Sequence, residues 1–369
     1  MSSRTRVALV FGGASSEHGV SCLTAAGVLA ALDHDRYEVV CVGIAPSGRW
    51  TLVDPERAAA MQTVDGRLPS VSPAGPEVVL VSTGRGPGLA VRDGSTLDEP
   101  RPIDVAFALL HGPFGEDGTI QGLFEMHGVR YVGAGVAASA NGMDKHLMKA
   151  CFAAAGLPQG PYEVITPSQW VLDREAALAR LERLQLPLFV KPARAGSSIG
   201  ITKVDDRAAL ADAIEAARAH DPKVVIEQGI VGREVECAVL SSREGGVPRT
   251  SLVGEIRMVD GSGFYDFDAK YLPGEQVALD IPATIDEGLQ RRVQELAVHT
   301  FEAIGAEGLG RVDTFVLDSG EVLVNEINTM PGFTQYSMYP QLWEKSGLPY
   351  GDLIDELIQL ALARPLGLR

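Results

Sequence analysis

The residues of this 369-residue chain best suited to chemistry lie in 311–328, read Arg-Val-Asp-Thr-Phe-Val-Leu-Asp-Ser-Gly-Glu-Val-Leu-Val-Asn-Glu-Ile-Asn. A two-residue turn at Ser319-Gly320 would pair 318 with 321, setting Asp313 opposite Glu326 and Arg311 opposite Asn328. Carboxylates so opposed have Cβ atoms about 5 Å apart and repel each other. A divalent cation between them reverses that cost, and two carboxylates with the Asn328 amide form a hard oxygen set suited to Mg2+. The plain alternative is a solvated face of an edge hairpin. Long apolar runs around the pair and the irregular Asn-Thr-Met-Pro-Gly at 328–332 favour the site. A three-residue turn would shift this register.

A second stretch, 190–204, reads Val-Lys-Pro-Ala-Arg-Ala-Gly-Ser-Ser-Ile-Gly-Ile-Thr-Lys-Val. Its small residues let backbone N–H groups approach phosphate oxygens, while Lys191 and Arg194 supply local charge. It is not a Walker loop, which needs GxxxxGK[ST]. Residues 196–200 fit G-x-S-x-G with Ser198 as nucleophile, but that elbow requires strand, turn and helix. The β-branched run after Gly200 reads as a strand, so the loop joins two strands and covers a ligand; a plain Gly-Ser hairpin loop is the alternative. Residues 133–138, Gly-Ala-Gly-Val-Ala-Ala, are a frayed dinucleotide fingerprint and read as packing. A third stretch, Phe-Tyr-Asp-Phe-Asp-Ala-Lys-Tyr at 264–271, sits in a glycine-bounded loop at 261–274. Aromatics there either pin the loop to the core or line a lid. Lys270 among acidic neighbours favours a lid that closes over triphosphate.

These groups need a scaffold, and the pattern supplies one. Strands over 6–11 and 37–44 with a helix over 22–32 form a βαβ unit, which opens an α/β sheet. Residues 69–102 read as surface hairpin and loop without chemistry, and 103–110 as a further parallel strand ending in His-Gly-Pro-Phe-Gly-Glu-Asp-Gly at 111–118. Ligands in open α/β sheets gather at such strand ends. A helix over 145–155, a strand from 188 and an amphipathic helix over 207–219 make a second region. A third begins at 224, with a helix over 287–304 and the hairpin. The expected division is therefore 1–139, 140–223 and 224–369, since a chain of this length exceeds one core.

With 32 Lys+Arg against 48 Asp+Glu the net charge is −16. That excludes sequence-blind nucleic-acid binding and attachment to an anionic membrane, and any phosphate must meet a few local cations. No run approaches the ~18 apolar residues of a membrane span or forms a signal-peptide core, so the expected place is the cytoplasm. Cys22, Cys41, Cys151 and Cys237 form no CxxC pair and read as reduced, buried thiols.

Taken together the chain resembles the D-alanine–D-alanine ligases of the ATP-grasp superfamily over nearly its whole length. The carriers are Gly12-Gly13 with 17–21 (Glu-His-Gly-Val-Ser), His111-Gly112 with 115–118 (Gly-Glu-Asp-Gly), and Met143-Asp144-Lys145. They continue with Lys191-Pro192 and 196–200, Tyr265-Asp266 with Lys270-Tyr271, Arg311-Val312-Asp313, and 326–332. The resemblance implies an α/β (α+β) fold, an N-terminal open parallel-sheet α/β domain followed by a two-part ATP-grasp module. It implies ATP-dependent joining of two D-alanines through a D-alanyl phosphate, for peptidoglycan precursors, in a homodimer.

On these positions, Lys145, Lys191, Ser198 and Lys270 would meet ATP phosphates, Glu227 with Ile230 and Val231 the adenine, and Glu234 the ribose. Asp313, Glu326 and Asn328 would carry two Mg2+, with Mn2+ as a substitute. Glu17 would hold the ammonium of the first D-alanine, with His111 nearby. Arg311 and the N–H of Gly332 would stabilise the oxyanion, and Ser337 and Met338 would receive the second D-alanine's carboxylate. Tyr271, Ser197 and Glu17 would form a bridge that selects an amine over the hydroxyl of D-lactate as nucleophile. Lys145 as a surface charge, Glu227 and Glu234 as solvated strand ends, and His111 as a satisfied structural histidine are the plain alternatives. Gly19 and Ala195 depart from the family's habit, with consequences for loop packing. A non-catalytic ATP-binding protein would show losses among the metal ligands, and the sequence shows none.

Overall fold

The structure, a computed structural model, describes residues 4–84, 86–196, 199–243, 245–258 and 277–367, with only the backbone of Met258 and Val277. The expected segment 261–274, with Lys270 and Tyr271, and the pair Ser197 and Ser198 lie outside the described residues.

The apolar runs Thr5–Gly12 (β1) and Tyr37–Ile44 (β2) pair in parallel, and Val105–Ala108 (β8) pairs in parallel on the other side of β1. Such continuous runs are what a strand covered on both faces requires. Gly12 ends β1 at φ +91, where a Cβ would lie 2.3 Å from the Ile44 carbonyl, so only glycine fits. The next helix is His18–Ala31, four residues earlier than its periodicity suggests. Gly19 hides that start, and its reason is steric: Leu68 fills the space a Cβ would take, at 2.4 Å.

The 69–102 segment is more than a surface loop. Strands Glu77–Thr83 (β4) and Gly86–Asp93 (β5) extend the sheet through Trp50–Val53 (β3) in antiparallel fashion. Short strands Thr96–Leu97 (β6) and Arg101–Pro102 (β7) both pair with β5, and Arg130–Tyr131 (β9) closes the far edge beside β8. The segment also grips the helix that carries Glu17. His18 Nε2 accepts from the Val71 N–H at 3.0 Å, which leaves Nδ1–H to donate to the Gly13 carbonyl at 2.7 Å.

The central sheet has the order Tyr162–Ile165 (β10), Val224–Gln228 (β13), Leu188–Pro192 (β11), Thr202–Val204 (β12). The loop over 193–201 therefore joins two antiparallel strands, as the β-branched run after it suggests. The third sheet runs Val277–Asp280 (β16), Arg249–Met258 (β15), Arg233–Leu240 (β14), Leu309–Val316 (β17), Val322–Asn328 (β18). Helix Glu287–Ala303 covers its apolar face through Val293, Leu296, Ala297 and Phe301. Cys22, Cys41 and Cys237 are buried, Cys151 is half-buried, and all four are free thiols. No helix among the described residues is long and apolar enough to cross a membrane.

Candidate active site

A cavity of about 1260 Å³ is lined by strands of the central and third sheets and by the helix and loops beside the first sheet. It gathers Glu17, His111, Lys145, Lys191, Glu227, Ile230, Glu234, Arg311, Asp313, Glu326, Asn328, Gly332, Ser337 and Met338. Val231 stays outside it, 90 % exposed. Arg194 also turns away, giving its guanidinium to Asp221 at 2.7 and 2.8 Å because that buried carboxylate needs a partner.

The hairpin presents Asp313 opposite Glu326 and Arg311 opposite Asn328, but by a different route from a two-residue turn. The turn has three residues, 318–320, with Leu317 N–H bonded to the Glu321 carbonyl and Gly320 at φ +82. That turn pairs Thr314 with Val324, and one unpaired residue, Asn325, then restores the register at Glu326. Without this bulge, Glu326 would point to the core face that Val324 and Ile327 occupy.

Asp313 receives both Nε and Nη2 of Arg311 at 2.7 Å, and Asn328 Nδ2 at 3.0 Å. Arg311 Nε also lies 2.9 Å from Glu236. Burial opposes the Arg311 charge, but Asp313 and Glu236 outweigh it and hold the guanidinium firmly protonated. Lys145 Nζ lies 3.9 Å from Glu326. Among the described residues no three His, Cys, Asp or Glu side chains cluster as a metal site, and a third donor beside the carboxylate pair would come from an amide on the same face. Asn328 fits that part: its N–H is spent on Asp313, leaving the amide oxygen as its remaining acceptor. Two carboxylates and an amide oxygen on one face are a donor set that fits Mg2+.

The phosphate side is built on helix Lys145–Ala154. Asp144 caps its N-terminus by accepting from His146 and Leu147 N–H, and also binds the Lys223 ammonium. Lys145 Nζ donates to the Ala195 carbonyl at 2.9 Å, so the unusual Ala195 contributes backbone and its small side chain is tolerated. Across the central sheet Lys191 Nζ meets Glu227 Oε2 at 2.5 Å, and Lys149 Nζ meets Oε1 of the same carboxylate at 2.9 Å. Burial works against the Lys191 charge, but Glu227 outweighs it and lifts the ammonium above its ordinary value. Burial likewise opposes the Glu227 charge, and the two lysines hold that carboxyl far below the usual range. Glu227 is thus a buried ion-pair partner, not a solvated strand end. Lys149 was not singled out in the sequence, although its i,i+4 spacing from Lys145 puts both on one helix face.

At the other end Glu17 is buried, and a Cβ on Gly112 or Gly196 would come within 2.8 or 3.2 Å of its Oε2. Two glycine loops thus close around this carboxylate. Ser15 ties the Glu17 segment to the Gly112 loop, accepting from Glu17 N–H and donating to the His111 carbonyl at 2.9 Å. His111 is 3 % exposed, its Nδ1 lies 3.2 Å from the Met330 carbonyl, and its buried Nε2 has no hydrogen-bond partner among the described residues. Burial pulls its pKa down against the charge of Glu17, which keeps the imidazole neutral. Glu116, in the cavity wall, accepts from Gly112 N–H at 2.6 Å, yet burial and Glu17 push its carboxyl up to about 8. Its place in Gly-Glu-Asp-Gly was visible in the sequence, its burial was not. Ser337 stands at the N-cap of helix Met338–Lys345, its Oγ bonded to Thr334 and within 3.2 Å of where a Gly332 Cβ would be. Free N–H groups at such a helix start suit a carboxylate.

The family profile of the D-ala D-ala ligase N-terminus matches residues 6–134, and that of the D-ala D-ala ligase C-terminus matches 151–359. The D-alanine--D-alanine ligase of Paenarthrobacter aurescens is 55 % identical over 368 residues, which are 99 % of this chain and 97 % of the relative. That of Nocardia farcinica is 53 % identical over 374 residues, covering 100 % of both chains. Among solved structures, the D-alanine-D-alanine ligase from Coxiella burnetii superposes with a TM-score of 0.80 at 31 % identity, over 97 % of this chain and 94 % of that one. The VanG D-Ala:D-Ser ligase from Enterococcus faecalis gives 0.81 at 34 % identity, over 97 % and 100 %.

Proposed function

The chain belongs to the D-alanine–D-alanine ligase family, and from that premise we propose how its residues divide the work of joining two D-alanines at the expense of ATP. The enzyme is an ATP-dependent ligase of cell-wall synthesis with the ATP-grasp fold. The observation that carries the division is one cavity holding a carboxylate pair, a lysine cluster and a buried glutamate in separate walls. Homodimerisation and a cytoplasmic setting complete the reading; of the expected parts 1–139, 140–223 and 224–369, the second gives helix Lys145–Ala154 to the third sheet's core through Met148 and Phe152, and the third gives β13 to the central sheet.

Glu17 takes the ammonium of the first D-alanine, and neutral His111 offers its unpartnered Nε2 lone pair on the same side. A carboxylate is a poor acyl donor, so this substrate's carboxylate first takes the γ-phosphoryl group of ATP, giving D-alanyl phosphate and ADP. Lys145 and Lys191 hold phosphate oxygens, Glu227 and Ile230 the adenine, and Glu234 the ribose, while Val231, expected at the adenine, lies outside the cavity. Asp313, Glu326 and Asn328 would hold Mg2+, which when bound neutralises crowded phosphate charge. The second D-alanine rests its carboxylate on Ser337 and Met338. Its amine attacks the acyl carbon, the C–N bond forms, the C–O bond to phosphate breaks and the amine proton leaves. Arg311 and Gly332 N–H steady the oxyanion between these events. Ser197, Ser198, Lys270 and Tyr271 keep the roles that the resemblance implies, closing the site and favouring an amine nucleophile.

The test is ADP formation with MgATP and D-alanine, L-alanine or no amino acid, with the product identified by mass. D-alanine alone should support turnover and yield the dipeptide. ADP release indifferent to D-alanine would overturn the reading.

A further inference from the structure

We propose that Lys149 is a positioning residue for nucleotide: it keeps Glu227 paired so that Lys191 is free to turn to ATP phosphate. The inference rests on the phosphate role of Lys191 proposed above. Glu227 is a single buried carboxylate with an ammonium on each oxygen, Lys191 at 2.5 Å and Lys149 at 2.9 Å. The three charged groups carry one net positive charge that the carboxylate does not cancel.

The two lysines are not equivalent. The side chain of Lys149 is 3 % exposed and its ammonium lies 5.3 Å from the centre of the Tyr162 ring, on the strand residue directly opposite Glu227. Gln159 bonds its backbone carbonyl at 3.0 Å. Lys149 is therefore enclosed between Glu227 and the Tyr162 ring and stays where it is. The side chain of Lys191 is 14 % exposed at the cavity wall, and the charges of Glu326 and Glu234 also act on it. It is the lysine that can move.

If Lys149 were missing, Lys191 would be the sole counter-charge of a buried carboxylate. Drawing it away would strand that charge in a medium where an unpaired ion is very unfavourable. Nucleotide would then compete with Glu227 for Lys191. With Lys149 present, Glu227 keeps a partner in both arrangements and Lys191 changes partner at little cost.

The experiment uses the full-length enzyme with Lys149→Met, Lys149→Arg, Glu227→Gln and the double variant Lys149→Met/Glu227→Gln. Lys149→Met should raise KM for ATP about tenfold while KM for D-alanine stays within about twofold, and Lys149→Arg should recover most of the loss. With Glu227→Gln no carboxylate holds Lys191 back, so adding Lys149→Met to it should leave KM for ATP within about threefold of Glu227→Gln alone. A further rise of about tenfold over Glu227→Gln would overturn the proposal, showing that Lys149 acts on nucleotide without Glu227. So would an unchanged KM for ATP in a destabilised Lys149→Met, the mark of a purely structural lysine. Should Lys149→Met fail to fold, Lys149→Gln, which keeps a hydrogen-bond donor to Glu227 without the charge, decides: a KM for ATP raised about tenfold sustains the proposal, and one within about twofold of the wild type overturns it. Failure of the functional reading would appear separately, as a wild type without D-alanine-dependent turnover.

Discussion

At the residue scale the substrate end of the cavity turns on protons. Glu116 carries a carboxyl whose pKa is moved from 4.5 to about 8, first by burial and then by the charge of Glu17. A folded-state pKa above the unfolded one means that the stability tied to this proton is complete below about 4.5 and lost as pH rises toward about 8. The ammonium of D-alanine beside Glu17 would counter that repulsion and lower the Glu116 pKa again. Binding of D-alanine near neutral pH should therefore release a fraction of a proton, and calorimetry in buffers of different ionisation heat measures it. Glu116→Gln should abolish the release. His111, already neutral from burial, contributes nothing to it. Heats independent of the buffer in the wild type would mean that Glu116 keeps one protonation state through binding, and the coupling to Glu17 would fail.

The face proposed to hold metal depends on an element-level cancellation between a three-residue turn and a one-residue bulge. Deleting Asn325 removes the bulge while every other cross-strand pair, Asp313 with Glu326 included, can re-form. Deleting Leu323 instead would put Val324 on the cavity face and turn Asn325 into the core, leaving a buried amide unpaired. The Asn325 deletion should thus fold with a Tm within a few degrees of the wild type, and lose turnover because the bulge's local twist aims Glu326. The Leu323 deletion should lower Tm by far more. Thermal unfolding of both, beside turnover, checks the order; equal losses of Tm would show that the bulge is part of the core pairing. The same hairpin marks how far the sequence could be read. The opposed carboxylates were legible from spacing, and they survive because two irregularities, neither visible in residue types, offset each other. The 18–31 helix start was obscured because Gly19 looks like a breaker until Leu68 is seen filling its place. Lys149 went unnoticed because its meaning depends on Glu227, a partner 78 positions further along the chain on another strand. Local periodicity carries the βαβ opening and the Glu287–Ala303 helix, and long-range pairing carries everything else in the site.

At the scale of the whole molecule, a chain of net charge −16 still gathers Lys145, Lys149, Lys191 and Arg311 in one cavity, and the cores decide which parts move together. The largest apolar cluster joins Leu9, Phe11 and Phe107 of the first sheet to Phe333, Tyr339, Leu357 and Ile358 near the C-terminus. Helix Tyr350–Ala363 is therefore part of the first sheet's core, and the two ends of the chain should unfold as one unit. The central sheet has its own core around Trp170, Leu188, Ile214 and Ile226. It meets the rest of the site through polar contacts such as Lys145 with Ala195 and Lys149 with Glu227. Such a unit can open by itself without global unfolding. Ile214→Ala, a loss of about 2–5 kcal/mol of core packing, should speed amide exchange in the central strands alone. Leu357→Ala, of the same size, should speed it in β1 and β8 together with the C-terminal helices. Because ATP would touch Lys191 on the central sheet and Glu326 on the third, MgATP with a non-reactive D-alanine analogue should slow exchange of the central strands to the rate of the rest. Hydrogen-exchange mass spectrometry reads all three patterns. If Ile214→Ala loosens the first sheet as much as the central one, the cores are not independent, and ATP would have no separate body to fix in place.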